Sequence, residues 1–252
     1  MAGAFNRMAS ELSGRTEALQ TSDRLRRQML ADVSHELRTP LTTMRGYLDT
    51  LDMPEVVVDE EKRRRYLDTI RTETRRLERI VADLLDLARF ENQVATIDVR
   101  VFAVERLFQS VAQRFERETA AAGVSLRTTV AETADQLIAD PHRMEQVISN
   151  LAANALRHLP AGGAIELDAA LSGNTYQLSV VDSGSGIAPE HVAHVFDRFY
   201  KVDSARAAGA GGSGLGLSIV KAIVERHGGT IAVTSRPGRT AFVITLPQTA
   251  VA

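Results

Sequence analysis

The chain has 252 residues, of which 44% are hydrophobic and 25% are charged, and its formal net charge is -2. This length suits one large or two moderate domains, and the charge balance gives no electrostatic basis for binding nucleic acid. The absence of cysteine excludes disulfides and thiolate zinc sites and fits a reducing compartment. No run of about 18 apolar residues occurs, so we expect a soluble chain without membrane contact.

The N-terminal third is predicted to be helical. Residues 5–51 have the apolar spacing of a coiled coil, and a weaker stretch within them fits either a break in register or a solvent-exposed connector helix. Asp52-Met53-Pro54 is expected to end this helix, and a second helix begins near Asp59, an N-cap candidate. Each helix has a single apolar stripe, so the pattern predicts two paired hairpins, a dimeric four-helix bundle, and hence a homodimer. The second helix also has an arginine-rich face, interpreted as a solvated surface, at Lys62 to Arg65, Arg71, Arg75, Arg76 and Arg79.

The first helix contains a histidine next to a carboxylate, His35-Glu36, followed by a hydroxyl at Thr39. Residues four apart lie on one helix face, so His35 and Thr39 are expected to point outward together. Pro40 removes one backbone hydrogen bond and favours a bend. An imidazole near neutral pH has one ring nitrogen available as a nucleophile. Glu36 could accept the other ring N–H of His35 and fix its tautomer.

After Glu91 the pattern alternates between strands and helices. Strands are predicted at 97–101, 124–130, 164–171 and 175–181, with a final pair ending at Leu246. Helices are predicted from 104 to a stop at Gly123, from Asp140-Pro141 to about 159, and from about 215 to 227. The whole chain is therefore predicted to be α+β, with a helical hairpin followed by a two-layer α/β sandwich.

One predicted helix has a polar face at Asn150 and Asn154, with Arg157 and His158 a turn beyond. Amide oxygens suit a Mg²⁺ ion that keeps water and phosphate oxygens in its shell, with Asn154 as the metal candidate. Arg157 could pair with phosphate. Taken alone, the segment fits equally well with buried asparagines that bond nearby backbone.

Two glycine segments follow. Asp182 ends a strand and precedes Gly184 and Gly186; its carboxylate could accept a hydrogen bond from the adenine amine while the glycines let backbone approach a flat ring, although any tight turn favours such residues. The second segment opens a helix, where backbone N–H groups bind anions; a flexible linker is the alternative. The loop that leads to it is predicted to be a mobile lid over phosphates. The nucleotide-contacting residues expected here are Lys201, Gly212, Gly214, Leu215 and Gly216.

In order along the chain, these segments resemble the sequence boxes of two-component sensor histidine kinases: an H-box at 33–41, an N-box at 146–158, a G1 box at 182–186, an F-box at 196–200 and a G2 box at 212–216. The resemblance covers about residues 20–247. It implies a dimerisation and histidine phosphotransfer domain at 25–92 and a catalytic ATP-binding domain of the GHKL (Bergerat) type at 93–252. Residues 4–9 look like the last helix of a HAMP module, which implies that 1–24 end that module and that the parent protein is membrane-anchored, with this portion on the cytoplasmic side.

The resemblance also implies a reaction. ATP, with Mg²⁺, phosphorylates His35, and the phosphoryl group then passes to an aspartate of a response regulator receiver domain. Thr39, three residues after Glu36, implies phosphatase activity toward that regulator. The chain departs from the family pattern at Arg157 and His158, where Lys and Tyr are frequent, and at Gly238-Arg239-Thr240, which lacks a second glycine.

Two other functions compete with this interpretation. The first is another ATPase of the same nucleotide fold, of the gyrase, Hsp90 or MutL type, but those proteins lack a His-Glu helix on a dimer bundle. The second is a degenerate kinase that serves as a dimeric docking scaffold. The presence of Asn154, Asp182 and the glycine series argues against a scaffold.

Overall fold

The structure is a computed structural model that describes residues 27, 29–53, 58–91, 96–201 and 212–248. The predicted HAMP segment at 1–24 lies outside the described residues. By its contacts the chain divides into two compact units, one ending at Val81 and the other running from Ala82 to Ala252. None of the helices in the described part of the chain is long and apolar enough to cross a membrane.

The N-terminal unit is a helical hairpin whose second helix continues into the C-terminal unit. Helix α1 covers residues 29–52, so its predicted end at Asp52 is confirmed. Helix α2 covers Glu60–Glu91, and Asp59 caps it as predicted, because its carboxylate accepts the Lys62 N–H at 2.8 Å. That backbone N–H lowers the pKa of Asp59. The two helices touch through the rings of Tyr47 and Tyr66, whose centroids are 4.9 Å apart.

The C-terminal unit places three long helices on a five-stranded sheet. Strand β1 (Arg100–Ala103) leads into α3 (Val104–Ala122), which Gly123 ends in the left-handed conformation, as predicted. Strand β2 (Ser125–Val130), a short 3-10 turn and β3 (Gln136–Ala139) lead to α4 (Pro141–His158). The remaining elements are β4 (Ala164–Ser172), β5 (Thr175–Asp182), α5 (Pro189–Val192), α6 (Gly216–Arg226), β6 (Thr230–Arg236) and β7 (Arg239–Pro247).

The sheet order is β2-β4-β5-β7-β6, in which β2 is parallel to β4 and all other neighbours are antiparallel. Strands β1 and β3 form a separate antiparallel pair. The core lies between sheet and helices, where Phe108 of α3 and Phe242 of β7 are almost completely buried. The predicted helical hairpin and two-layer sandwich are confirmed. Some details differ. Strand β1 begins at Arg100 rather than 97, and β3, the 3-10 turn and α5 were not predicted.

Candidate functional site

His35 and Thr39 lie on the exposed face of α1, four residues apart. The Thr39 hydroxyl donates to the His35 carbonyl at 3.1 Å. Helix α1 continues through Pro40, whose side chain is buried. Within the described residues the imidazole of His35 has no hydrogen bond or ion pair, so an incoming phosphoryl donor would meet an unobstructed ring.

Glu36 points into the hairpin instead of toward His35. Its side chain is 14% exposed, and its carboxylate lies 3.5 Å from the Arg76 guanidinium of α2, which also approaches Glu73 at 3.7 Å. The expected hydrogen bond from His35 to Glu36 does not form in this structure, because adjacent helical residues point about 100° apart. Arg76 was predicted to belong to a solvated face. Its contact with Glu36 crosses between helices and leaves no local signal in the sequence.

Helix α4 carries the predicted N-box. It starts as the sequence indicated, with the Asp140 carboxylate accepting the N–H groups of His142 and Arg143 and with proline at the first position. The Asn150 amide donates to the Gly216 carbonyl at 3.4 Å, which links this helix to the glycine segment. The Asn154 side chain is half-buried and has no hydrogen bond to any residue in the described ranges. Its amide oxygen is therefore available to a ligand.

Arg157 and His158 occupy the last turn of α4. The Arg157 guanidinium packs against Gly212 so closely that a Cβ at 212 would lie 3.0 Å from its nitrogens. Burial lowers the pKa of His158, and the positive charge of Arg157 lowers it further, so the neutral imidazole is favoured at pH 7. The end of α4 thus carries one fixed positive charge beside the glycine segment.

Asp182 is the last residue of β5, the central strand of the sheet, and is 7% exposed. Its carboxylate accepts the Gly184 N–H at 2.9 Å, and a Cβ on Gly184 would clash with it at 2.7 Å. Burial raises the pKa of Asp182, and the Gly184 N–H opposes that rise. Gly186 has φ 84°, and a Cβ there would lie 2.7 Å from the Arg236 backbone, so a side chain would be strained at either glycine.

The second glycine segment is fixed where it meets α6. The Phe199 N–H donates to the Gly214 carbonyl at 2.9 Å, and both residues have positive φ, 59° and 75°. The Ser213 hydroxyl accepts the N–H of Leu215, which is fully buried at the start of α6. The left-handed conformation of Phe199 was not predicted, because no residue type in its vicinity signals it.

Lys201 is half-buried at the end of the described range, and residues 202–211 of the predicted lid lie outside the described residues. Ser213, next to the glycine segment, also donates to the Asp83 carboxylate of α2 at 3.0 Å. Two further contacts join α2 to α4. The Asp86 carboxylate lies 3.3 Å from Arg143 and accepts from Gln146 at 2.7 Å.

A buried histidine that the sequence did not single out joins the two helices of the candidate site. His227, just after α6, accepts the Asp140 N–H on its Nε2 at 3.1 Å and lies 2.8 Å from the Ile223 carbonyl through Nδ1. Burial lowers the pKa of His227. Only the neutral ring with its proton on Nδ1 satisfies both contacts, so this residue fixes the end of α6 to the start of α4.

The structure therefore gathers the predicted nucleotide residues from three segments. Asn150 contacts Gly216, Arg157 contacts Gly212, and a Cβ on Gly184 would lie 3.4 Å from the His158 carbonyl oxygen. No cluster of three or more histidine, aspartate and glutamate side chains arranged for a metal occurs among the residues that the structure describes. A divalent ion would depend on amide oxygen and on its own phosphate and water ligands, which suits Mg²⁺.

Two family models match this chain. Residues 25–93 match the His Kinase A (phospho-acceptor) domain, and residues 139–250 match the histidine kinase-, DNA gyrase B-, and HSP90-like ATPase family. The chain therefore combines a phosphoacceptor domain with an ATPase domain of the GHKL type.

The chain is 35% identical over 227 residues to the sensor protein SrrB of Staphylococcus aureus, a match that covers 90% of this chain and 39% of SrrB. Its structure is similar to histidine kinase ThkA in complex with the response regulator TrrA, with TM-score 0.72, 27% identity, and coverage of 88% of this chain and 61% of that one. It is also similar to full-length ShkA in complex with AMPPNP, with TM-score 0.66, 27% identity, and coverage of 89% and 46%. The chain belongs to the sensor histidine kinases. It spans about two fifths of the length of the curated relatives it matches.

Proposed function

We propose that this chain is the kinase portion of a two-component sensor, which phosphorylates His35 from ATP and passes the phosphoryl group to an aspartate of a response regulator. The observation that carries the proposal is an exposed His35 without a side-chain partner in the described residues, in a chain whose residues 139–250 match the GHKL-type ATPase family. The ShkA complex with AMPPNP and the ThkA complex with TrrA support ATP and a response regulator as the two partners.

Each group has a defined task in this reaction. A ring nitrogen of neutral His35 forms a bond to the γ-phosphorus, the bond from that phosphorus to the β–γ bridging oxygen breaks, and ADP leaves with the electron pair. Glu36 faces Arg76 in this structure, so its help to the developing imidazolium requires a rotamer that leaves Arg76 and turns toward His35. Asp182 accepts a hydrogen bond from the adenine amine. Arg157 and the backbone at Gly212 face the phosphates. Asn154 would hold a Mg²⁺ ion, which neutralises phosphate charge when bound. Lys201, His158 and residues 214–216 complete the proposed nucleotide contacts.

Labelling with γ-³²P-ATP and Mg²⁺ tests the kinase proposal. We expect the wild-type chain to acquire acid-labile, base-stable label and His35→Gln to acquire none. His142→Gln, which removes an exposed imidazole from the first turn of α4, is the matched control and should label normally.

The alternatives give different results. ATP turnover without label, unchanged in His35→Gln, would contradict the kinase proposal and identify another ATPase of this fold. Neither label nor turnover in the wild-type chain would indicate a scaffold.

We further propose that Thr39 supports phosphatase activity toward the phosphorylated regulator. Its hydroxyl lies on the same exposed face as His35 and could orient an attacking water. Thr39→Ala should lower the rate of regulator dephosphorylation by about 10²-fold, the usual size of a positioned proton-transfer group, while autophosphorylation stays near the wild-type rate.

Thr43→Ala is the matched control, because Thr43 makes the same contact one turn later, donating to the Thr39 carbonyl at 3.1 Å. Both activities are measured by loss of label from purified regulator and by gain of label on the kinase. Equal losses of both activities in Thr39→Ala would show that Thr39 supports the helix rather than the water.

We also propose that the hairpin forms a homodimer. Its helices leave several large apolar side chains exposed, which a second copy would cover. These are Leu30, Leu41 and Leu48 of α1 and Leu67, Val81 and Leu85 of α2. The resemblance of residues 4–9 to a HAMP module supports a membrane-anchored parent protein with this portion on the cytoplasmic side.

A further inference from the structure

The C-terminal unit has a groove of about 550 Å³ that the proposed kinase reaction does not use. It is formed by β1 and the first residues of α3, β3 and α4, and none of its lining residues belongs to the predicted nucleotide set. Glu145 of the groove and Asn154 of the N-box are nine residues apart on α4, which is about 13 Å along the helix. The volume falls within the range of small-molecule sites, about 300–1,000 Å³.

The floor of this groove is apolar. Val101 of β1 is 58% exposed although it sits in a four-residue strand, and Phe102 beside it is only half-buried. Leu107 of α3 and Pro141 of α4 extend the same surface. An apolar lining that leaves Val101 exposed to solvent favours contact with the hydrocarbon part of a ligand.

The rim of the groove is positively charged. Arg100 and Arg106 line it, and neither guanidinium has an ion pair or hydrogen bond to another residue within the described ranges. The one carboxylate in the lining, Glu145, accepts a hydrogen bond from Ser110 at 3.1 Å. Two guanidinium groups and one carboxylate leave a net single positive charge, which suits one negative charge on the ligand and disfavours a cation.

We propose that this groove binds a soluble amphipathic monoanion, a carboxylate that carries a short hydrocarbon chain. Arg100 and Arg106 hold the acid group, and Val101, Phe102 and Leu107 cover the chain. This inference goes beyond the proposed kinase function and does not depend on it, because the groove shares no residue with the nucleotide site.

The test uses octanoate as the probe and ¹⁵N amide shifts of the whole chain as the measurement. Octanoate should shift the amides of residues 100–107 and of Gln136 and Glu145 in a saturable manner. Octanol, which has the same chain without the charge, should bind about tenfold more weakly, since it lacks the charge-assisted hydrogen bonds.

The double variant Arg100→Gln/Arg106→Gln should raise the Kd for octanoate about tenfold or more. Arg127→Gln, which removes an exposed arginine from β2, is the matched control and should leave the Kd unchanged. Saturating ATP with Mg²⁺ should also leave it unchanged.

Four results would overturn the proposal. Equal affinity for octanoate and octanol, or an unchanged Kd in the double variant, would show apolar adsorption alone. Displacement of octanoate by ATP would place the probe in the nucleotide site. Shifts of the same amides by phosphatidylglycerol vesicles, with none by octanoate, would assign the groove to a lipid headgroup rather than to a soluble ligand.

Discussion

The backbones of Gly214 and Phe199 are in contact where the second glycine segment joins α6, and this contact fixes the position of the junction. A Cβ at Gly214, which has φ 75°, would lie 2.7 Å from the Phe199 backbone. Phe199 itself has φ 59°, an unfavourable conformation for a bulky residue. The surrounding contacts must therefore hold this pair in place.

Gly214→Ala should lower the free energy of unfolding by about 2–4 kcal/mol, because left-handed strain of about 1–2 kcal/mol adds to a backbone displacement. Gly173→Ala is the matched control. Gly173 has φ 60° but nothing within 4 Å of its Cβ position, so it should lose only the strain part. Urea unfolding followed by circular dichroism measures both. Equal decreases in the free energy of unfolding of the two variants would show that the contact with Phe199 does not constrain Gly214.

At the residue scale, the sequence was informative where chemistry is local. The positions of Asp140, Asp182 and Gly123 at helix and strand ends could be predicted because each belongs to a short local motif. Arg76, Phe199 and His227 could not, because their roles depend on partners 40, 15 and 87 positions away, Glu36, Gly214 and Asp140. Glu36 was assigned to His35 for the same reason, since its true neighbour belongs to another helix.

Asp140 links the start of α4 to His227, the residue that follows α6. Asp140 starts α4, and burial alone would raise its pKa, but the N–H groups of Asp98, Arg143 and His142 outweigh burial and lower it. Asp140 also donates its own N–H to His227 after α6. Helices α4 and α6 are therefore joined twice, by the contact of Asn150 with Gly216 and by that of Asp140 with His227.

This link between Asp140 and His227 predicts a pH dependence of stability. The pKa of His227 is lowered by burial, with Asp140 opposing and Arg143 adding to the effect. The unfolded chain therefore takes up this proton first, so the contribution of His227 is complete above about pH 6.5 and declines as pH falls toward its folded pKa. The contribution of Asp140 has the same sign but is lost at lower pH, below about 3.8.

His227→Gln should cost about 1–3 kcal/mol at pH 7, because the Asp140 N–H loses its partner, and it should flatten the decline between pH 7 and 5. His142→Gln, in the exposed first turn of α4, is the control and should keep the wild-type slope. Urea unfolding at each pH gives the comparison. A slope in His227→Gln equal to that of the wild type would assign the decline to other groups, such as His158.

Among the elements, the long ones were predictable and the short ones were not. Helices α3, α4 and α6 have strong apolar periodicity and clear ends at Gly123, Asp140 and Leu215. Strand β3 has only four residues, Gln136–Ala139. It forms because β1 pairs with it, and Arg100 and its partner Ala139 are 39 positions apart in the sequence. Such pairing is a property of the assembled layers, as is the parallel placement of β2 beside β4.

The whole molecule is expected to be a dimer, because the hairpin exposes apolar side chains that one copy cannot bury. Leu41 of α1 is 51% exposed. Leu41→Glu should weaken dimerisation at least about 100-fold, since it places a charge in an apolar contact. Sedimentation equilibrium measures the change, and Thr42→Glu, at the next exposed position, should stay dimeric. A dimer that survives Leu41→Glu would contradict the proposed interface.

Helix α2 does not belong to one unit alone, since the division of the chain falls between Val81 and Ala82, inside the helix. Its last turns supply Asp83 to Ser213, Asp86 to Arg143, and Phe90 beneath the Arg143 guanidinium at 4.9 Å. A catalytic fragment cut at residue 93 would leave Arg143 and Ser213 without these partners. The smallest fragment that folds by itself and keeps the nucleotide site intact is therefore expected to begin inside α2, at about Ala82. The last turns of α2 would then form part of the surface of that fragment.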